Sequence, residues 1–211
     1  MSNNPDNSPI YGKLSIISMN GAEDITAKID RYLNTFRDFE DEETYITNVA
    51  CPRFGTGEGK CVISQTVRGH DVYIISDCFN YGVTYKMYDM VVPMSPDDHF
   101  QDLKRVIAAA GGKAHRITVI MPYLYESRQD KRSSRESLDC AVALQELCNM
   151  GVESIITFDA HNPSVQNAIP LKTFESVPPT YQFIKALLRS APDISMDPAH
   201  LMVISPDEGA M

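Results

Sequence analysis

Arg116-Ile117-Thr118-Val119-Ile120-Met121-Pro122-Tyr123-Leu124-Tyr125-Glu126-Ser127-Arg128-Gln129-Asp130-Lys131-Arg132 is the stretch that decides the fold. It opens as a continuous apolar strand, 116–121, and then breaks into a loop dense in charge. A strand that is apolar throughout, rather than alternating, is buried on both faces, and that is the habit of a parallel sheet. Helices flank it. Residues 98–110 read as a helix stopped by Gly111-Gly112. Residues 135–150 read as a second, with Leu138, Val142, Leu144 and Leu147 facing inward and Gly151 as its stop.

Working outward, the same alternation of strand and helix recurs. Lys13–Met19, Asp71–Ser76, Ser154–Phe158 and Leu201–Ile204 are short strand-like runs. Ile25, Ile29, Leu33 and Phe36 recur at helical spacing, which predicts a helix over 23–37 after the turn Asn20-Gly21. Pro178–Arg189 predicts another. Thr44–Cys51 and Lys60–Thr66 flank the glycine-rich turn Phe54-Gly55-Thr56-Gly57-Glu58-Gly59, so 44–66 is expected to be a hairpin or ribbon. Residues 1–12 read as a disordered polar lead, Asp38–Glu43 as an exposed acidic stretch and 79–97 as irregular. No repeat or linker cluster divides the chain. The expected class is α/β: a mainly parallel sheet, helices on both faces and a small β-hairpin.

The 211 residues are 43% hydrophobic and 22% charged, the mixture of a soluble globular chain. At about 150 residues per domain this is about one and a half domains. No apolar run approaches the ~20 residues needed to span a bilayer, and the polar N-terminus does not read as a signal peptide, so a cytoplasmic protein without membrane contact is expected. Lys and Arg number 19 against 28 Asp and Glu, giving a net charge of −9. That excludes a general nucleic-acid binder, which needs a basic footprint. Cys51, Cys61, Cys78, Cys140 and Cys148 form no CxxC pair and read as reduced thiols; Cys140 and Cys148 read as packing residues.

Open parallel sheets bind ligands past the C-terminal ends of their strands. Three loops follow from that rule. The first gathers Arg128, Lys131, Arg132 and Arg135 within eight residues, which suits a polyanionic phosphate, the alternative being a solvated charged loop. The second, Asp159-Ala160-His161, sets a carboxylate and an imidazole at alternate positions of an extended segment, suited to a divalent ion or to orienting a nucleotide; backbone capping is the alternative. The third offers Asp207, suited to Mg²⁺ held with waters and phosphates, or to capping a helix. Together the three suggest Mg²⁺-nucleotide chemistry. In the 54–59 turn, Phe54 is suited to stacking on a purine and Glu58 to accepting from an exocyclic amine, against a plain tight turn.

The ordered set resembles one family, ribose-phosphate pyrophosphokinase. Val67-Arg68-Gly69-His70-Asp71-Val72-Tyr73 is similar to its strand entry VRGxDVY. Tyr125–Lys131 is similar to its YxRQDK loop with one extra residue. Asp159-Ala160-His161 is similar to DLH, and Ser205–Ala210 to SPDxG. The resemblance runs from about Lys13 to Met211. It implies a phosphoribosyltransferase-like three-layer fold and transfer of diphosphate from Mg²⁺·ATP to the anomeric hydroxyl of ribose 5-phosphate, giving AMP. It implies ATP contacts from Arg128 and Gln129, with Asp130 and Lys131 in the same loop, and Mg²⁺ at His161 and Asp207, with Asp159 beside them. Phe54, Thr56 and Glu58 would reach a neighbour's adenine site in a homo-oligomer built from dimers, up to a hexamer.

Thr56 departs from the family's Asp or Asn. After His161 the family runs Ala/Ser-x-Gln-x-Gln-Gly, whereas here Asn162-Pro163-Ser164-Val165-Gln166-Asn167 keeps only Gln166, and Lys172 stands at a family aspartate. The resemblance places 13–205 as the N-terminal domain and 206–211 as the start of a second. The catalytic Lys and Arg would lie in that second half, so these 211 residues alone are expected to turn over little or not at all. A catalytically silent, synthetase-associated regulatory subunit is the alternative.

Overall fold

The computed structural model describes residues 12–36, 44–195 and 197–205. In chain order the elements are β1 (Leu14–Ser18), α1 (Glu23–Phe36), β2 (Val49–Ala50), β3 (Val62–Ile63), β4 (Asp71–Ile75), β5 (Thr84–Met87), β6 (Met90–Pro93), α2 (Pro96–Ala110), β7 (Arg116–Met121), α3 (Asp139–Asn149), β8 (Ser154–Phe158), a 3-10 turn at Pro163–Ala168, β9 (Thr173–Val177) and α4 (Thr180–Ser190). They fall into two compact units, one through Val177 and one from Pro178. The polar lead up to residue 11, Asp38–Glu43 and 206–211 lie outside the described residues.

In the first unit β1, β4, β7, β8 and β9 form one all-parallel sheet in that order. Alternate residues of a strand share a face, and both faces of the central strands are apolar. Val72, Ile74, Val119, Met121 and Ile155 point to one side, where α2 (Leu103, Val106, Ile107) and α3 (Cys140, Leu144, Leu147) cover them. Ile16 and Ile75 point to the other, under Ala22 and under Ile25, Ile29 and Leu33 of α1. The α/β class read from the sequence is therefore the architecture found, with helices on both faces. α2 begins where its sequence says it should. Ser95 caps it: the Ser95 hydroxyl accepts from the Asp98 amide at 3.1 Å while the Asp98 carboxylate accepts from the Ser95 amide at 3.0 Å, and Pro96 takes the first turn.

Several expectations are corrected. α3 starts at Asp139, not 135, because the hydroxyl-rich 133–137 stretch bonds locally instead: the Ser133 amide donates to Glu136 at 2.6 Å and the Ser137 hydroxyl to Asp139 at 2.5 Å. Val142 does not face inward; it is 57% exposed. Of the 44–66 ribbon, the part from Asn48 to Ser64 pairs antiparallel as expected, through β2 with β3 and an Arg53–Gly59 bridge. Its front end, Tyr45–Thr47, lies instead along β1, with the Ile16 amide donating to the Tyr45 carbonyl and the Thr47 amide to the Ile16 carbonyl, both at 2.8 Å. Residues 79–97 are not irregular throughout: β5 and β6 form an antiparallel hairpin turned at Tyr88, whose φ is +51°. Leu201–Ile204 is not a strand. Met202, Val203 and Ile204 are exposed, and no strand pairing among the described residues includes them. The sheet's last strand is instead the half-polar edge Thr173–Val177.

Thr157, on the helix-covered face with Ile155, is fully buried, and its hydroxyl has no partner among the described residues. An unsatisfied buried hydroxyl costs about 1–3 kcal/mol. Thr157→Val is expected to raise the unfolding free energy by about 1 kcal/mol, read as a higher urea midpoint at unchanged slope; an unchanged or lower midpoint would contradict it.

In the second unit α4 buries none of its residues, and residues 201–205 have no regular structure. No helix among the described residues is long and apolar enough to cross a membrane.

Candidate functional site

The loops after β7 and β8 leave neighbouring strands at the same sheet edge and are tied to each other there. The His161 amide donates to the buried Ser127 hydroxyl at 3.3 Å, and the Asn162 side-chain amide donates to the Asp130 carboxylate at 2.6 Å. The charged loop and the Asp159–His161 loop, two of the three loops expected at the sheet edge, are thus brought together. The charged loop opens with a tight bend. Glu126 sits at φ +55°, and its carbonyl accepts from the Gln129 amide at 3.0 Å. The Gln129 side chain braces the same loop by donating to the Ser137 carbonyl at 2.8 Å. Arg128, Lys131, Arg132 and Arg135 are all exposed.

Beneath this loop, Tyr125 stacks on Phe100 at 4.2 Å between centroids and donates to Asp97 at 2.7 Å. Burial, with Asp97 as acceptor, pushes the Tyr125 hydroxyl pKa well above its ordinary value, so it remains a donor at neutral pH. Burial, reinforced by nearby Asp139 and Asp97, raises the Glu126 carboxyl, whereas the Asn162 amide holds Asp130 below the usual carboxylate value. The edge therefore presents exposed guanidinium groups, an ionised Asp130 and the imidazole of His161, a surface that can neutralise a polyphosphate and orient it.

The Asp159-x-His161 segment is not extended as expected. Asp159 adopts φ +46°, and the chain bends there, with the Asp159 amide donating to the Val177 carbonyl at 3.1 Å and the Ala160 amide to Ser176 at 2.9 Å. The bend, not strand alternation, sets where the two side chains emerge. No group of three His, Cys, Asp or Glu side chains among the described residues is gathered to hold a metal ion. Mg²⁺ that arrives with a polyphosphate takes only one or two protein ligands beside waters and phosphate oxygens. His161 and Asp159, both exposed at the edge, fit that lighter demand. Asp207 lies outside the described residues.

Phe54, Thr56 and Glu58 sit together on a loop of their own. Their loop is closed by the Phe54 amide donating to the Glu58 carbonyl at 2.7 Å, and the Thr56 hydroxyl donates to the Glu58 carboxylate at 2.9 Å. Phe54 is half-exposed, with the Lys60 ammonium 5.9 Å from its ring centre. The loop is anchored by Arg53, which bonds the buried Asp102 of α2 at 2.8 Å and lies over the Tyr85 ring at 4.8 Å. Arg105 bonds the same carboxylate at 2.5 Å. The β5–β6 turn supports the loop from beside it, the Tyr88 amide donating to the Gly55 carbonyl at 2.8 Å. No hydrogen bond or ion pair among the described residues joins this loop to the 126–130 or 159–162 loops. Sequence reasoning missed Ser127, Asn162, Ser176 and the Arg53–Asp102–Arg105 clamp. The adjacency of Asn162 to His161 was the one hint available.

Residues 14–151 match the model of the N-terminal domain of ribose phosphate pyrophosphokinase. The chain belongs to the ribose-phosphate pyrophosphokinase family. The ribose-phosphate pyrophosphokinase of Haemophilus ducreyi is 31% identical over 175 residues, covering 81% of this chain and 49% of the relative. That of Mesorhizobium japonicum is 25% identical over 208 residues, covering 94% and 55%. Among solved structures, the phosphoribosylpyrophosphate synthetase of Mycobacterium smegmatis superposes with a TM-score of 0.69 at 18% identity, covering 86% of this chain and 53% of that one, which supports the fold. The chain spans about half the length of the curated pyrophosphokinase relatives it matches.

Proposed function

We propose that this chain is the nucleotide-binding half of a ribose-phosphate diphosphokinase. Its whole protein would transfer the β,γ-diphosphate of ATP to the 1-hydroxyl of ribose 5-phosphate. The ribose oxygen attacks the β-phosphorus, the bond from that phosphorus to the α-phosphate bridging oxygen breaks, AMP departs, and the hydroxyl proton goes to solvent. The observation that carries the reading is that the loop bearing Arg128–Lys131 and the Asp159–His161 loop meet at one sheet edge, the His161 amide donating to the Ser127 hydroxyl. A reaction of this kind needs in-line positioning and charge neutralisation more than a covalent nucleophile. Arg128 and Lys131 would bind the phosphates, and Gln129 would keep their loop in shape. Mg²⁺, held through His161, Asp159 and Asp207, would supply further neutralisation of the transferring group. Phe54, Thr56 and Glu58, apart from that edge, would serve the adenine of a neighbouring copy in a cytoplasmic homo-oligomer. On this reading, the 211 residues alone show little turnover. The test is AMP release by the whole protein, expected only when ATP, Mg²⁺ and ribose 5-phosphate are all present; AMP release indifferent to the sugar would refute it.

The second reading, a silent regulatory subunit, is favoured by one contact. Asn162, at a departure from the family pattern, ties up the Asp130 carboxylate. The folded-state pKa of Asp130 is depressed, so that contact is intact above the usual carboxylate pKa of about 4 and is lost as the pH falls through the lower folded value. Asn162→Ala is expected to return the Asp130 titration upward toward its ordinary range, followed by carboxyl NMR shifts against pH. An unmoved titration would show that the amide is not the cause. Co-purification with a separate active synthetase, and no AMP formation of its own, would select the second reading.

A further inference from the structure

Cys51 and Cys61 face each other across the neck of the 52–60 loop. β2 and β3 pair Val49 with Ile63 and Ala50 with Val62, and beyond them Arg53 bridges Gly59. The same register sets Cys51 directly opposite Cys61. The Ser64 amide donates to the Asn48 carbonyl and the Lys60 amide to the Pro52 carbonyl, both at 3.1 Å. Hydrogen-bonded and open pairs alternate along an antiparallel ladder, so Cys51–Cys61 is an open pair. Such pairs have the closest side chains, with Cα atoms about 4.5 Å apart. A disulfide spans Cα separations of roughly 4.4–6.8 Å, so closure needs no large backbone movement.

The two thiols are also chemically unlike the rest. Each acts on the other: the neighbouring Cys51 pulls the Cys61 thiol below its ordinary pKa, while the neighbouring Cys61 and burial push Cys51 up. Of the charged groups facing the pair, Asp102 opposes a thiolate at both sulfurs, and Arg53 favours one at Cys51. Burial raises the other three: Cys78 and Cys140 are pushed up to about 11, and Cys148 is raised. Cys51 and Cys61 are half-buried at the edge of the core, whereas Cys78 and Cys140 are buried. The division into one attacking and one resolving sulfur is that of a dithiol that oxidises in two steps.

We infer that Cys51 and Cys61 are a redox modification site, closing by exchange with a low-molecular-weight disulfide into a reversible cross-strand disulfide. The Cys61 thiolate attacks one sulfur of glutathione disulfide, forms a mixed disulfide and releases one glutathione thiolate. Cys51, its proton lost to solvent, attacks the Cys61 sulfur and releases the second. Two protein thiols become one disulfide, and the external disulfide is reduced to two thiols. The bond ties off the loop that carries Phe54, Thr56 and Glu58 and fixes its neck. Any effect of this on nucleotide binding rests on the proposed function; the cross-link itself does not.

The test uses the whole folded protein, glutathione disulfide as the probe, iodoacetamide to block remaining thiols, and trypsin. Cleavage after Arg37, Arg53, Lys60 and Arg68 puts the two cysteines on separate peptides, 38–53 and 61–68. The expected product is these two peptides joined, lighter by two hydrogens than their sum and parted by dithiothreitol. Cys51→Ser should stop at a glutathione adduct on Cys61. Recovery of both peptides only alkylated, glutathione adducts without a cross-link, or a bond to Cys78, Cys140, Cys148 or a second chain would each overturn the inference.

Discussion

Asp102→Ala is expected to lower the unfolding free energy by about 3–5 kcal/mol, the usual result of removing one member of a buried charge pair. The Asp102 side chain is 3% exposed and accepts from Arg53, itself 7% exposed, and from Arg105. Removing the carboxylate leaves two guanidinium groups in or near the core edge with nothing to balance them. Arg53 cannot simply swing to water, because it is held over Tyr85 as the anchor of the 52–60 loop. Urea unfolding measures the loss. A decrease below about 1 kcal/mol would mean the pair is solvated like a surface ion pair, and the account of how this loop is held would fail.

Arg128→Ala and His161→Ala are expected to lower kcat/KM for AMP formation by the whole protein by about 10²–10³-fold, the range for deleting one group that stabilises charge in the transition state. Both side chains are exposed, so unfolding midpoints should hardly move. That separates these variants from Asp102→Ala, whose effect is on stability. Arg128→Lys should recover part of the loss by keeping the charge, though not the two-pronged hydrogen bonding. Activity within about threefold of the parent in both alanine variants would remove this edge from the chemistry.

The layout of the sheet was legible because β4, β7 and β8 are apolar on both faces, a pattern that points to a covered parallel sheet. β9 escaped notice because it is an edge: Thr173, Glu175 and Val177 are exposed and alternate with half-buried residues. The Leu201–Ile204 run misled for the converse reason, since apolar residues alone do not supply a pairing neighbour. The loops of the site were legible as positions, because strand ends are where open sheets bind ligands. Their shape was not. The bends at Glu126 and Asp159 are left-handed conformations in residues other than glycine, held by surrounding hydrogen bonds rather than announced by residue type. The β5–β6 hairpin was hidden by tyrosines and by Pro93, which an edge strand tolerates. The Arg53–Asp102 clamp joins residues 49 positions apart, a pairing no local pattern carries.

The most direct test of the central claim follows the phosphorus atoms. The whole protein is mixed with Mg²⁺, ATP and ribose 5-phosphate, and the products are read by ³¹P NMR. The β- and γ-phosphates are expected to leave ATP together and appear as a diphosphate on the sugar's C1 oxygen, with AMP formed in equal amount. Formation of ADP with a singly phosphorylated product, or loss of inorganic phosphate with the sugar unchanged, would contradict it.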